Sequence, residues 1–98
     1  MKVIKSPKNL ELKKMLLLYK KSRERKKQGL FIIEGEREII NGLKSKYILE
    51  RIFLEEGIVF KNVNIKSAIN NTPTSVVEKK TFKRISIRSG GEKIIAIA

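Results

Sequence analysis

The sequence has no histidine, cysteine, tryptophan or aspartate, and each absence closes a class of chemistry. Without cysteine there is no disulfide framework, and the default address is cytoplasmic. Without His, Cys and Asp neither a Ser-His-Asp nor a Cys-His arrangement can be assembled. A zinc site needs thiolates, imidazoles or carboxylates converging at short range, and only scattered glutamates remain, so no metal is expected. No spacing points to a Ser-Lys or Glu-based acid/base site, and neither GxxxxGK[ST] nor GxGxxG occurs, so no catalytic residue and no phosphate loop is assigned. Apolar runs are short as well. None exceeds five residues, Met15 to Tyr19 among them, whereas spanning a bilayer takes about 20. The opening Met1-Lys2-Val3-Ile4-Lys5 lacks the apolar core and cleavage site of a secretory leader.

What is present in excess is positive charge: 23 Lys and Arg against 10 acidic residues, a formal +13 on 11.3 kDa. Solubility requires far less, and such an excess draws phosphate backbones, with anionic membrane surfaces a weaker reading. The charge is polarised. Residues 1–28 hold eleven Lys or Arg and two Glu, a net +9, which leaves +4 for the other seventy. The densest part, Lys20 to Gly29, carries six cations and one anion. Its arginines, Arg23 and Arg25, can fork onto phosphate or stack on a base, with salt bridges to Glu24, Glu34 or Glu36 as the bland alternative. Tyr19 and Phe31, the aromatics nearby, read as core, so backbone and shape recognition of folded RNA is expected rather than stacking on single-stranded bases.

Ninety-eight residues, 41% of them apolar, suit one domain over 1–98. Ser6-Pro7 reads as an N-cap and first-turn proline of a helix from about Pro7 to Lys21, with Leu12, Met15, Leu16 and Tyr19 on its apolar face and Leu10, Leu17 and Leu18 widening it. Lys20 to Gly29 is a helix end or loop. Leu30 to Ile33 predicts a short strand buried on both faces, and Ile39, Ile40, Leu43 and Tyr47 suit a helix starting near Glu36. A second strand lies within Ile48 to Glu55. Phe60, Val63, Ile65 and Ala68 could face a core from a short helix, Ser75 to Glu78 forms a third strand, and Thr81 caps a brief helix over Phe82 to Ile85. Ile94 to Ala98 is a fourth strand. Strands alternating with helices predict an α/β fold with helices on both faces of a parallel or mixed sheet. A chain that stops at an apolar strand also suggests a piece of a longer protein. Glu34-Gly35 would lie beyond the carboxyl end of the first strand, where α/β sheets place ligand sites. There Gly35 would supply a positive φ or a close backbone approach, and Glu34 would pair with Arg25, Arg37 or helix N–H groups.

Taken together, Ser6-Pro7-x-Asn9 before a helix, then Arg25-Lys26-Lys27-Gln28-Gly29-Leu30-Phe31, then Ile32-Ile33-Glu34-Gly35-Glu36-Arg37, resemble a known family. It is the N-terminal substrate-binding domain of the SpoU (TrmH) RNA ribose 2′-O-methyltransferases, in which an Arg six residues before a Phe is followed by Glu-Gly. Phe82 to Ser86 and the closing strand match the family's last helix and strand. A departure is Gly91-Glu92-Lys93, where the family usually has a Pro-Gln-Gly-like turn.

The resemblance implies a three-layer α/β/α sandwich with a four-stranded mixed sheet, similar to the ribosomal proteins that bind kinked RNA. It places RNA at Gly35-Glu36-Arg37 and at Arg88-Ser89-Gly90-Gly91, flanked by the basic segment. The RNA-binding set is then Asn9, Lys20, Lys21, Arg23, Arg25, Lys26, Lys27, Glu34, Gly35, Glu36, Arg37, Arg88, Gly90 and Gly91. No cofactor is expected in this domain. S-adenosylmethionine and homodimerisation belong to a knotted catalytic domain expected after residue 98 of the parent, and the isolated domain is expected to be a monomer. The function implied is recognition of structured RNA for an S-adenosylmethionine-dependent rRNA or tRNA 2′-O-ribose methyltransferase. The alternative is a free-standing ribosomal or kink-turn RNA-binding protein.

Overall fold

A run such as Ile94-Ile95-Ala96-Ile97, apolar at every position, suits only a strand covered on both faces, and it forms an interior strand of a five-stranded sheet. The computed structural model describes residues 3–86 and 91–98. In chain order the strands are β1 (Val3–Ile4), β2 (Ile32–Glu34), β3 (Arg51–Glu55), β4 (Thr74–Val77) and β5 (Ile94–Ile97), and their order across the sheet is β1-β4-β3-β5-β2. β1, β4 and β3 run parallel, and β5 is antiparallel to both β3 and β2, so the sheet is mixed. The helices are α1 (Leu10–Lys20), α2 (Ser22–Gln28), α3 (Glu36–Lys44), α4 (Val63–Asn71) and α5 (Lys79–Ile85).

Strand alternation divides the core in two. Phe53, Val77, Ile95 and Ile97 meet Leu12, Met15 and Leu18 of α1 and Phe82 and Ile85 of α5. On the other face Ile33, Ile52, Ile94 and Ala96 meet Ile39 of α3 and Ile65 of α4. α2 buries no residue in either cluster. Arg51 ties β3 to its neighbours: Nε lies 3.5 Å from a Glu11 carboxylate oxygen, Nη2 donates to Ser75 Oγ, and the guanidinium sits 5.6 Å from the centre of the Phe53 ring. The Nε separation makes this an ion pair without a hydrogen bond, since that nitrogen has no hydrogen-bond partner.

Several expectations need correction. The sheet has five strands where four were expected, because Val3–Ile4 pairs with Val76–Val77 and two residues are too few to show a period. The first helix begins at Leu10 rather than Pro7: Ser6 Oγ accepts from the Lys8 amide in a preceding turn, and Asn9 is the cap, accepting from the amides of Glu11 at 2.8 Å and Leu12 at 3.3 Å. Lys21 to Gln28 is largely helical. β2 is an edge strand that starts two residues later and ends one residue later than expected, with Phe31 and Ile32 half-buried. Tyr19, Leu10 and Leu17 are exposed, so the apolar face of α1 is narrower than its sequence suggests. Tyr47 lies past the end of α3, and Val63 points to solvent. Thr81 sits inside α5, where its hydroxyl donates to the Lys5 carbonyl at 3.0 Å, and Glu78 occupies the cap position.

Candidate nucleic-acid interface

The basic segment owes its shape to two local devices. Gly29 terminates α2 in the left-handed region at φ 67° and ψ 28°, a conformation glycine adopts without steric cost. Arg25 folds back from α2 onto the end of α1, its Nη1 donating to the carbonyls of Leu18 at 2.8 Å and Tyr19 at 2.7 Å. Those carbonyls are among the last of α1, where intrahelical partners run out and a cation also suits the helix dipole. The guanidinium thus fixes α2 against α1. The sequence offered RNA or a glutamate as its partner, and the Leu18 and Tyr19 carbonyls are a structural role it did not foresee.

The remaining cations of the segment face outward. Lys20, Lys21, Arg23, Lys26 and Lys27 are exposed, and among the described residues no ion pair engages any of them. Glu24, the lone anion of this stretch, accepts from Gln28 Nε2 at 3.0 Å instead. The result is a row of cations along one short helix and the last turn before it. Replacing Arg25 by alanine removes two charge-assisted bonds and is expected to lower stability by about 1–2 kcal/mol in urea unfolding. Any change in ligand affinity would then follow from the displacement of α2.

The second predicted cluster lies at the opposite end of β2, roughly 15 Å along the strand from Gly29. Glu34, 6% exposed, accepts from Ser86 Oγ at 2.7 Å. Arg25 was expected near it, but its Nη1 is committed to α1. Gly35 precedes α3 at φ 106° and ψ 146°, and its amide donates to the Ile94 carbonyl at 2.9 Å. A Cβ at this position would come within 2.9 Å of the Glu92 carboxylate. The expected positive φ is therefore present, and the nearest neighbour is a side chain, Glu92. Glu36 and Arg37 open α3 and share a cleft with Glu92, while Lys93 Nζ lies 3.3 Å from buried Glu55 and anchors the start of β5. The loop after β2 and the end of the loop before β5 thus meet. Gly91 is exposed at φ 73°, and Arg88 and Gly90 lie outside the described residues. Ser86 and Glu92 were named from sequence only within segments compared with the family, and neither contact was foreseen, because their partners are distant in the chain.

The two clusters flank a groove along the outer edge of β2, lined in part by Tyr19, Phe31, Tyr47 and Asn41. The sequence assigned Tyr19 and Phe31 to the core and missed the groove, which forms only when α1, β2 and α3 converge. No described helix is long and apolar enough to cross a membrane.

A family model described as the MRM3-like substrate binding domain matches residues 9–96. A solved RNA 2′-O ribose methyltransferase is similar in structure, with a TM-score of 0.77 and 27% identity over 98% of this chain and 36% of that one. An rRNA methyltransferase from Sinorhizobium meliloti gives 0.75 at 16% identity, over 98% of this chain and 36% of its own. The SpoU methyltransferase AviRb from Streptomyces viridochromogenes, solved with AdoMet, gives 0.70 at 12% identity over 91% of this chain and 32% of its own. The last two establish likeness of fold alone. This chain spans about a third of the length of these structures. No curated protein matches it significantly.

Proposed function

The chain belongs to the MRM3-like substrate-binding domain family, and from that premise we propose that it selects structured RNA, rRNA or tRNA, for a SpoU-type enzyme that methylates a ribose 2′-hydroxyl. The observation that carries this reading is the row of exposed cations Lys20, Lys21, Arg23, Lys26 and Lys27, engaged by no ion pair among the described residues and set in place by Arg25 and Gly29. Lysines and arginines so placed displace counterions from a phosphate backbone, giving affinity that falls with salt. Gly35, Glu36, Arg37 and the loop before β5 supply the second contact region, so that RNA spanning both ends of β2 is held by shape as well as charge. The architecture with helices on both sheet faces is of the kind used by the ribosomal kink-turn proteins, and a cytoplasmic address belongs to the same reading.

Methyl transfer itself we assign to a knotted, dimer-forming domain of the parent, following residue 98. S-adenosylmethionine carries the transferable methyl group when bound. This chain's own part is to bind and orient RNA. The test is a pair of titrations. The 98-residue chain is expected to bind a structured rRNA or tRNA transcript with affinity that declines steeply between 50 and 200 mM salt, roughly 10³-fold or more for six or more phosphate contacts. It is expected to release no measurable heat with S-adenosylmethionine. Indifference to structured transcripts at low ionic strength overturns the proposal.

A further inference from the structure

We propose that the groove along the outer edge of β2 takes up one unpaired RNA base, stacked on tyrosine, beside the backbone held by α2. This inference rests on the RNA-binding reading above. The groove has a volume of about 430 Å³, within the range of clefts that enclose small ligands. Its rim carries Tyr19 at the end of α1 and Tyr47 just beyond α3, 45% and 50% exposed respectively. Neither ring is placed by burial. Tyr47 meets Phe31 edge-to-face, with ring centres 5.2 Å apart and planes at 79°. Gly42 of α3 leaves room for that arrangement, since a Cβ there would come within 3.1 Å of Ile33 Cδ1 and 3.4 Å of Tyr47 Cδ2. At Tyr19 the bond from Arg25 to the carbonyl fixes the main chain that carries the ring. Half-exposed aromatic rings at the mouth of a cleft present π faces on which a base can stack.

The polar lining narrows the ligand further. Glu38 and Asn41 of α3 and Ser45, its C-cap, follow one another at the groove wall. A carboxylate only accepts hydrogen bonds, whereas a carboxamide and a hydroxyl both donate and accept. That set favours a base with an exocyclic amine, adenine, cytosine or guanine, over uracil. The Arg25 bond to Tyr19 also joins the groove's rim to the helix that carries the outward cations, so a nucleotide entering the groove has its phosphates beside them. Ile32 turns its backbone amide and carbonyl away from β5, which would equally serve an added peptide strand. The net charge and the acceptors along the wall favour a nucleotide.

The probe is an RNA hairpin with one bulged adenosine, compared with the same hairpin carrying an abasic bulge, a bulged uridine, or no bulge. The chain is expected to bind the adenosine bulge roughly 5- to 20-fold more tightly than the abasic one, with uridine between them. A 2-aminopurine in the bulge is expected to lose fluorescence on binding as it stacks. Tyr47→Ala and Tyr19→Ala should each shrink the preference to about twofold or less while leaving affinity for the fully paired hairpin unchanged, and Tyr47→Phe should retain it. Equal affinity for adenosine and abasic bulges, with binding still dependent on α2 cations, overturns the base site and leaves the RNA-binding reading standing. So does a preference that survives both tyrosine replacements. Loss of binding to every hairpin at low salt overturns both.

Discussion

Replacing Lys20, Lys21, Arg23, Lys26 and Lys27 together by alanine is expected to weaken binding to a structured RNA roughly 100- to 1,000-fold near 0.15 M salt. The magnitude follows from counterion release. Each phosphate neutralised on a duplex contributes about 0.9 to the slope of log affinity against log salt, and three or four of the five side chains reaching phosphates give that loss. The slope itself should flatten by about three to four units. Fold is not at risk, because all five side chains are exposed, no ion pair engages them among the described residues, and alanine favours the helical backbone at Lys20, Arg23, Lys26 and Lys27. Lys61 and Lys66, just before and on α4 against the opposite sheet face, are the matched control. Their double replacement should change affinity by less than about threefold, the share of a few tenths of a slope unit. If the five-residue variant binds as tightly as the parent sequence over the whole salt range, α2 is not an RNA contact.

Gly35→Ala is expected to destabilise the domain by about 2–3 kcal/mol, read as a lower urea midpoint with an unchanged slope. Two effects act at this position, and they are unequal. The Glu92 carboxylate that a Cβ would strike is the end of a flexible side chain and can swing aside. The backbone at φ 106° and ψ 146° cannot adjust so easily, because the Gly35 amide is bonded to Ile94 and its carbonyl accepts from the Ile39 amide at 3.0 Å in the first turn of α3. Strain therefore supplies most of the cost. Glu92→Ala in the same background is expected to recover little of the loss. Full recovery by that second change would show that crowding, not the dihedral, requires glycine. Because Gly35 joins the two loops at this end of the sheet, the variant should also weaken RNA binding, by less than the five-cation variant does.

How much of this was legible in the residues depended on the range of the forces involved. Local signals read well. The unbroken apolar run at Ile94 to Ile97 announced an interior strand, the acidic start at Glu36 announced α3, and Gly35 was singled out for a positive φ that it has. Signals arising from packing did not read. α2 has no apolar period because it buries nothing, and what fixes it is one arginine reaching back six and seven residues together with a left-handed glycine. β1 is two residues long and is recognisable only beside β4. Leu30 to Ile33 resembled a central strand by composition, whereas sheet order is a non-local property that no tetrapeptide encodes. Thr81 looked like a cap and instead bonds the carbonyl of Lys5, 76 residues away. The resemblance to the SpoU family supplied what composition alone could not, namely the family and the two loops that meet at Gly35 and Glu92.

The Arg25 latch has a kinetic corollary. Because its guanidinium locks the α1–α2 corner through main-chain carbonyls, the charged row exists before any polyanion arrives, and little backbone freedom is left to lose at contact. Encounter then needs no refolding step. Stopped-flow association with RNA should be a single phase whose rate falls smoothly with ionic strength, and freeing the corner by Arg25→Ala should add a slower second phase.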